Sequence, residues 1–201
     1  MTKKATVCEP TADLVRAACR EFDEENSDVE EALGELLRQC PANNDLRHVL
    51  CKVVVLNRLY WTQIFAVMDV ALHIKRNVTG IDLAFAAGSP EIVDTIAKVA
   101  IRGKVHNFFS FATKYSSWHN PQKYPIYDSR VDNYLWRLQK EKLLQKEKPL
   151  FDFRHEALWQ YPQFLEVVTA FRDAYGLNDF TFKEIDKFIW LHGEKPATAD
   201  T

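Results

Sequence analysis

The chain has 201 residues, is 47% hydrophobic and 27% charged, holds 6 Gly and 8 Pro, and carries a formal net charge of −2. This mix fits a globular chain with a core of its own and excludes collagen-like and linker-rich proteins. Charge is uneven: residues 1–47 hold 6 Lys/Arg against 11 Asp/Glu, and residues 98–148 hold 11 Lys/Arg against 4 Asp/Glu. An acidic front and a basic middle can offer one face to phosphate, or can be a set of solvated helix faces.

Apolar residues recur at helical spacing almost throughout, which predicts an all-α fold of about nine helices. Residues 1–10 read as a tail, 11–193 as one helical domain and 194–201 as a second tail. The first ten residues lack the apolar stretch of a secretion signal, so a cytoplasmic protein is expected. No apolar run reaches the about 20 residues of a membrane span, so no membrane partner is expected.

Thr11 caps a first helix through Phe22. Ser27-Asp28-Val29-Glu30 reads as a capping box for a second, which Pro41 ends. Asp45 caps a third, whose Val49, Leu50, Val53, Val54, Val55 and Leu56 place it in the core. Thr62 opens a helix with Ile64, Phe65, Val67, Met68, Ala71 and Ile74. Residues 77–88 read as a loop with at most one helical turn. Ser89-Pro90-Glu91 starts the next helix, Gly103 breaks it, and a further helix runs from about Lys104 to His119. Ser129 caps a helix through Leu138, and Lys140 to Lys148 is a solvated charge run. Two last helices lie near 162–175, closed by Gly176, and 181–192, opened by the box Thr181-Phe-Lys-Glu184. Cys19, Cys40 and Cys51 fall among apolar positions and read as reduced core residues.

Several chemistries are absent from the pattern. There is no G-x-S-x-G, Walker A loop, G-x-G-x-x-G or H-E-x-x-H. No Cys pair is spaced C-x-x-C and no two of the six histidines are spaced i, i+4. No metal and no cofactor is therefore expected. What stands out is the segment from Arg102 to Arg137, where Phe108, Phe109, Phe111, Tyr115, Trp118, Tyr124, Tyr127, Tyr134 and Trp136 alternate with Arg102, Lys104, Lys114, Lys123, Arg130 and Arg137. Aromatic rings and cations together can stack an unpaired base and hold its backbone.

Three stretches resemble the helix-hairpin-helix superfamily of DNA glycosylases, in particular its 8-oxoguanine DNA glycosylase-like branch. Leu56-Asn-Arg-Leu-Tyr-Trp-Thr-Gln-Ile-Phe-Ala-Val67 is similar to that fold's apolar core helix, polar turn and next helix. Phe111-Ala-Thr-Lys-Tyr115 is similar to the segment that bears the family's lysine. Pro125-Ile-Tyr-Asp-Ser-Arg-Val131 is similar to the junction that presents its aspartate. The likeness follows helix order over roughly residues 45–190 but motif detail over about 25 residues.

The resemblance implies base excision from DNA with a flipped base. Lys114 would be the nucleophile and Asp128 the carboxylate that stabilises the oxocarbenium ion. Trp118, His119, Tyr127 and Trp61 would line the base pocket, and Arg102, Gly103, Lys123 and Arg130 would hold phosphate. The glycine-rich hairpin of the family is reduced here to Ile101-Arg102-Gly103-Lys104. That opens a second register, with Lys104 as nucleophile at a helix N-terminus. It also opens an alternative function: a catalytically inactive helical module that binds nucleic acid or a protein. No pattern specifies an oligomeric state.

Overall fold

The computed structural model describes residues 6–144 and 151–194. These form nine α-helices and one two-stranded sheet: α1 (Ala12–Gln39), α2 (Leu46–Tyr60), α3 (Val67–Arg76), α4 (Val78–Ala87), α5 (Glu91–Ala97), β1 (Lys98–Ile101), β2 (Lys104–Asn107), α6 (Phe109–His119), α7 (Ser129–Leu144), α8 (Tyr161–Ala174) and α9 (Phe182–His192). A single 3-10 turn, His155–Trp159, precedes α8. The fold is all-α, with the hairpin as a small exception. Among the described residues no helix is long and apolar enough to cross a membrane. Contacts divide the chain into two compact units, Asn26–Ile126 and Met1–Glu25 with Tyr127–Thr201. They are called here the middle unit and the split unit.

In the middle unit, Asp45 caps α2 as the sequence predicts, its carboxylate accepting the Arg47 N–H at 2.9 Å. One stripe of α2, Val49, Lys52, Val53 and Leu56, is buried and packs against α3 and α6. The helix ends at Trp61, a non-glycine residue with φ +50, and Gln63 follows with φ +58. Asn57 holds this turn. Its Nδ2 donates to Ile64 O at 2.9 Å, and its Oδ1 accepts from Thr62 Oγ1 and Ile64 N, both at 2.9 Å. Three hydrogen bonds from one side chain explain why α3 starts at Val67 rather than at Thr62. They also explain why Phe65, expected inside, is 97% exposed.

Four more expectations are corrected here. Ser27 lies inside α1, because no Gly or Pro interrupts the chain between Thr11 and Leu33, and Ser27 and Asp28 are exposed there. Residues 78–87 are the helix α4, not a loop. Gly80 falls in its first turn, where it does little harm, Ile81 and Phe85 are buried one turn apart, and Gly88 closes the end at φ +77. Residues 98–107 are a β-hairpin in the register Lys98↔Asn107 to Ile101↔Lys104. Arg102 and Gly103, at φ +50 and +79, form its two-residue turn. Two positive φ values in succession are the geometry that matches the twist of paired strands. Lys104 therefore opens a strand and sits at no helix N-terminus. Cys51 is exposed and Cys19 and Cys40 are half-buried, so none of the three is a core residue.

In the split unit, the start of α7 is capped by Asp128 rather than by Ser129. Its Oδ1 accepts Arg130 N at 2.9 Å and Val131 N at 3.0 Å. The predicted box at α9 is present: Thr181 N donates to Glu184 Oε2 at 2.7 Å and Glu184 N donates to Thr181 Oγ1 at 3.2 Å. Gly176, at φ +63, follows α8. The core is aromatic, with the buried Tyr134 edge-on to Phe171 and Phe188 at 6.1 and 6.0 Å. The charge run from Lys140 continues α7 as far as Leu144, and its remainder, 145–148, lies outside the described residues.

Candidate functional site

Helix α6 carries most of the chemistry of the middle unit. Seven consecutive residues, Phe111 to Ser117, are buried. A helix with no exposed face must satisfy its polar side chains internally. Thr113 Oγ1 donates to Ser110 O and Ser116 Oγ to Ala112 O, each at 2.9 Å. Lys114 is 3% exposed. Its Nζ donates to Ser110 Oγ at 2.7 Å and lies 5.5 Å from the centre of the Tyr60 ring. The Tyr60 hydroxyl accepts from Trp118 Nε1 at 2.9 Å. Tyr60 thus brings together two of the residues singled out in the sequence, the lysine and the tryptophan.

A second buried amine was not singled out. Lys52 is 0% exposed, on the apolar stripe of α2. Its Nζ faces Asn43 Oδ1 at 2.7 Å, Ala42 O at 3.2 Å and His119 Nε2 at 3.3 Å. Asn43 is held in turn by Asp82, through its backbone N–H at 3.1 Å and its Nδ2 at 2.5 Å, and it accepts a short hydrogen bond from the Tyr115 hydroxyl. His119 stacks on Phe85 at 4.6 Å and 13°. Burial pushes Lys52 down to about 8, against the opposing pull of Asp82. Burial, then the Lys52 charge, pushes His119 down to about 3. Burial also drives the Tyr115 hydroxyl well above its ordinary value. The signal for Lys52 was in the sequence: it stands at i+3 from Val49 and i−4 from Leu56, a cation on an apolar face. Its partners Asn43 and Asp82 carried no such mark.

The other candidates are placed as follows. Trp61 is 69% exposed, with the Arg58 guanidinium 4.1 Å from its ring centre. Lys123 is exposed and its stem runs over Gly88, where an added Cβ would stand 3.0 Å from Lys123 Cγ. Arg102, Gly103 and Lys104 are exposed in the hairpin. In the split unit, Asp128 is the half-buried cap of α7. Tyr127 donates to Asp132 Oδ2 at 2.9 Å, and burial first, then Asp132, raises its hydroxyl. Arg130 lies over the Trp190 ring at 4.5 Å and donates to the Trp190 carbonyl. Among the described residues no group of His, Cys, Asp and Glu is arranged to hold a metal ion.

Comparison with known proteins gives a family for this chain. Residues 14–123 match the HI_0787_N family, described as an N-terminal domain, and the chain belongs to that family. It is also similar to a protein of Haemophilus influenzae named only as an uncharacterized protein. The two are 36% identical over 147 residues, which is 73% of this chain and 67% of the relative. No solved structure matches the chain. The family span takes in Lys52, Lys114 and His119 and ends before Asp128.

Proposed function

We propose that this protein is a cytoplasmic DNA glycosylase that removes a damaged or modified purine, with Lys114 as nucleophile. The observation that carries the reading is the setting of Lys114: an amine 3% exposed, against a serine hydroxyl and a tyrosine ring. Burial penalises the charged form of an amine, and a nucleophilic amine must first be neutral. In the reaction the lysine nitrogen forms a bond to C1′ of the sugar while the bond from C1′ to the base nitrogen breaks. The nitrogen then sheds a proton and the departing base gains one. The nitrogen lone pair next forms C1′=N as the C1′–O4′ bond breaks and O4′ takes up a proton. The resulting ring-opened Schiff base is open to hydrolysis or strand cleavage. The base reaches the amine by leaving the helical stack, at a cost of roughly a few kcal/mol.

Borohydride trapping tests this. Duplex oligonucleotides carrying 8-oxoguanine or an abasic site are incubated with the full chain and reduced. A covalent adduct is expected for the unmodified protein and for Lys104→Gln, and none for Lys114→Gln. Survival of the adduct in Lys114→Gln overturns the choice of nucleophile. Absence of both adduct and base release in the unmodified protein overturns the enzyme.

One observation favours the second reading, a non-catalytic helical module that binds nucleic acid or a protein. Arg102 and Gly103, expected to grip phosphate, form a β-turn. The same trapping experiment separates the two, since a binder retains the DNA without forming an adduct.

A further inference from the structure

Lys52 has no part in the chemistry assigned to Lys114, yet it is the more completely buried of the two amines. An ammonium has three N–H bonds, and three polar atoms surround it: the acceptors Asn43 Oδ1 and Ala42 O, and His119 Nε2. The orientation of the Asn43 amide is fixed independently. Its Nδ2 points at Asp82 Oδ1, which as a carboxylate oxygen can only accept, so Oδ1 is the atom turned to Lys52 and to the Tyr115 hydroxyl. With two ammonium hydrogens on Asn43 and Ala42, the third points at His119. Nε2 must then carry the lone pair, and the ring proton sits on Nδ1. Among the described residues Nδ1 has no hydrogen-bond partner. The ring itself cannot turn freely, being stacked on Phe85 and 4.9 Å from the Tyr115 ring.

We infer that Lys52 is a positioning residue that holds His119 as its neutral Nδ1–H tautomer, so that this edge of the ring donates one hydrogen bond to a nucleobase carbonyl oxygen or ring nitrogen. The substrate half of the inference rests on the glycosylase reading, and the tautomer half does not. Burial and the neighbouring cation keep the ring neutral down to about pH 3, so the donor is the same through the physiological range. A neutral donor suits a base edge. An imidazolium would instead favour phosphate on any sequence.

Long-range nitrogen–proton NMR correlation on the full chain at pH 7, with His119 assigned from its loss in His119→Gln, tests the tautomer without DNA. The expected spectrum is the Nδ1–H form, changing to a tautomer mixture in Lys52→Met. An Nε2–H form or an imidazolium in the unmodified protein overturns the inference, as does an unchanged His119 signal in Lys52→Met. The unmodified spectrum decides even should Lys52→Met not fold.

The substrate half is read as binding, in Lys114→Gln protein that cannot turn over. His119→Phe is expected to lower the preference for an 8-oxoguanine duplex over an undamaged one by about tenfold, the worth of one hydrogen bond. His119→Asn, whose amide nitrogen can stand at the Nδ1 position, is expected to keep it. An equal loss on both duplexes in His119→Phe overturns this half. Absence of any trapped adduct in the unmodified protein defeats the glycosylase reading and leaves the tautomer result standing.

Discussion

Lys52 Nζ stands 3.3 Å from His119 Nε2, two basic groups in hydrogen-bond contact within one unit. Burial first, and then the Lys52 charge, holds the imidazole neutral, and that has a consequence for acid stability. His119 titrates at about 3 in the folded chain and at about 6.5 when unfolded. Between those values the unfolded chain binds a proton that the folded chain refuses. The stabilising contribution is complete above about pH 6.5 and is lost as pH falls toward 3, with a slope of up to about 1.4 kcal/mol per pH unit. Denaturant unfolding of the unmodified protein and of His119→Gln between pH 4 and pH 7 measures it. The stability difference between the two should shift in favour of the unmodified protein as pH rises. A difference that does not change with pH rules the effect out.

The lysine gives the matching effect on the alkaline side. Lys52 titrates at about 8 in the folded chain and near 10.4 when unfolded. Its contribution is therefore complete above about pH 10.4 and is lost as pH falls to 8. Raised Cys8 and Cys19 work in the opposite direction, so the comparison must be with Lys52→Met, where they cancel. From pH 8 to about 9.5, below the tyrosine range, the unmodified protein should gain stability relative to Lys52→Met. A parallel pair of stability curves would show that Lys52 is not held below its ordinary range.

Local signals in the sequence carried the fold well where the deciding atoms are neighbours. Asp45 caps α2 through a residue two positions on, and Thr181 and Glu184 close a box within one turn. The hairpin was hidden because each strand is four residues long and its turn is Arg-Gly rather than Asn-Gly or Asp-Gly. Helix α4 was hidden by Gly80, which reads as a breaker but falls where a helix tolerates it. At the candidate site, Lys114 and Trp118 were visible as a lysine and an aromatic one turn apart. What joins them is Tyr60, on α2, and what makes Lys52 tolerable in a core is Asn43 held by Asp82 from α4. Those partners become neighbours through tertiary packing, and no spacing in the chain announces them.

Asn57 offers a test of the turn that presents Trp61. Its side chain makes three hydrogen bonds across five residues of loop, and the loop holds two non-glycine residues at positive φ, each costing about 1 kcal/mol or more. The strain persists because Asn57 over-determines the turn. Asn57→Ala should cost about 2–3 kcal/mol by chemical unfolding. Asn57→Asp keeps both acceptor bonds and loses the donor to Ile64 O, so it should fall between. A loss under 0.5 kcal/mol in Asn57→Ala would mean the turn is held by something other than this side chain.

Asp128 has two roles to separate, the cap of α7 and the carboxylate assigned to base release. Both cap bonds use Oδ1, an atom that asparagine also supplies. Asp128→Asn should therefore leave stability within a few tenths of a kcal/mol, while Asp128→Ala should cost about 1 kcal/mol. Base release separates the variants differently. If the negative charge stabilises the sugar cation, Asp128→Asn should lower the single-turnover rate on an 8-oxoguanine duplex by about a hundredfold or more, with the fold and the cap intact. Unfolding curves and single-turnover rates on the same preparations read the two effects independently. A stable Asp128→Asn protein that still releases base at the original rate would leave Asp128 as a helix cap and remove it from the chemistry.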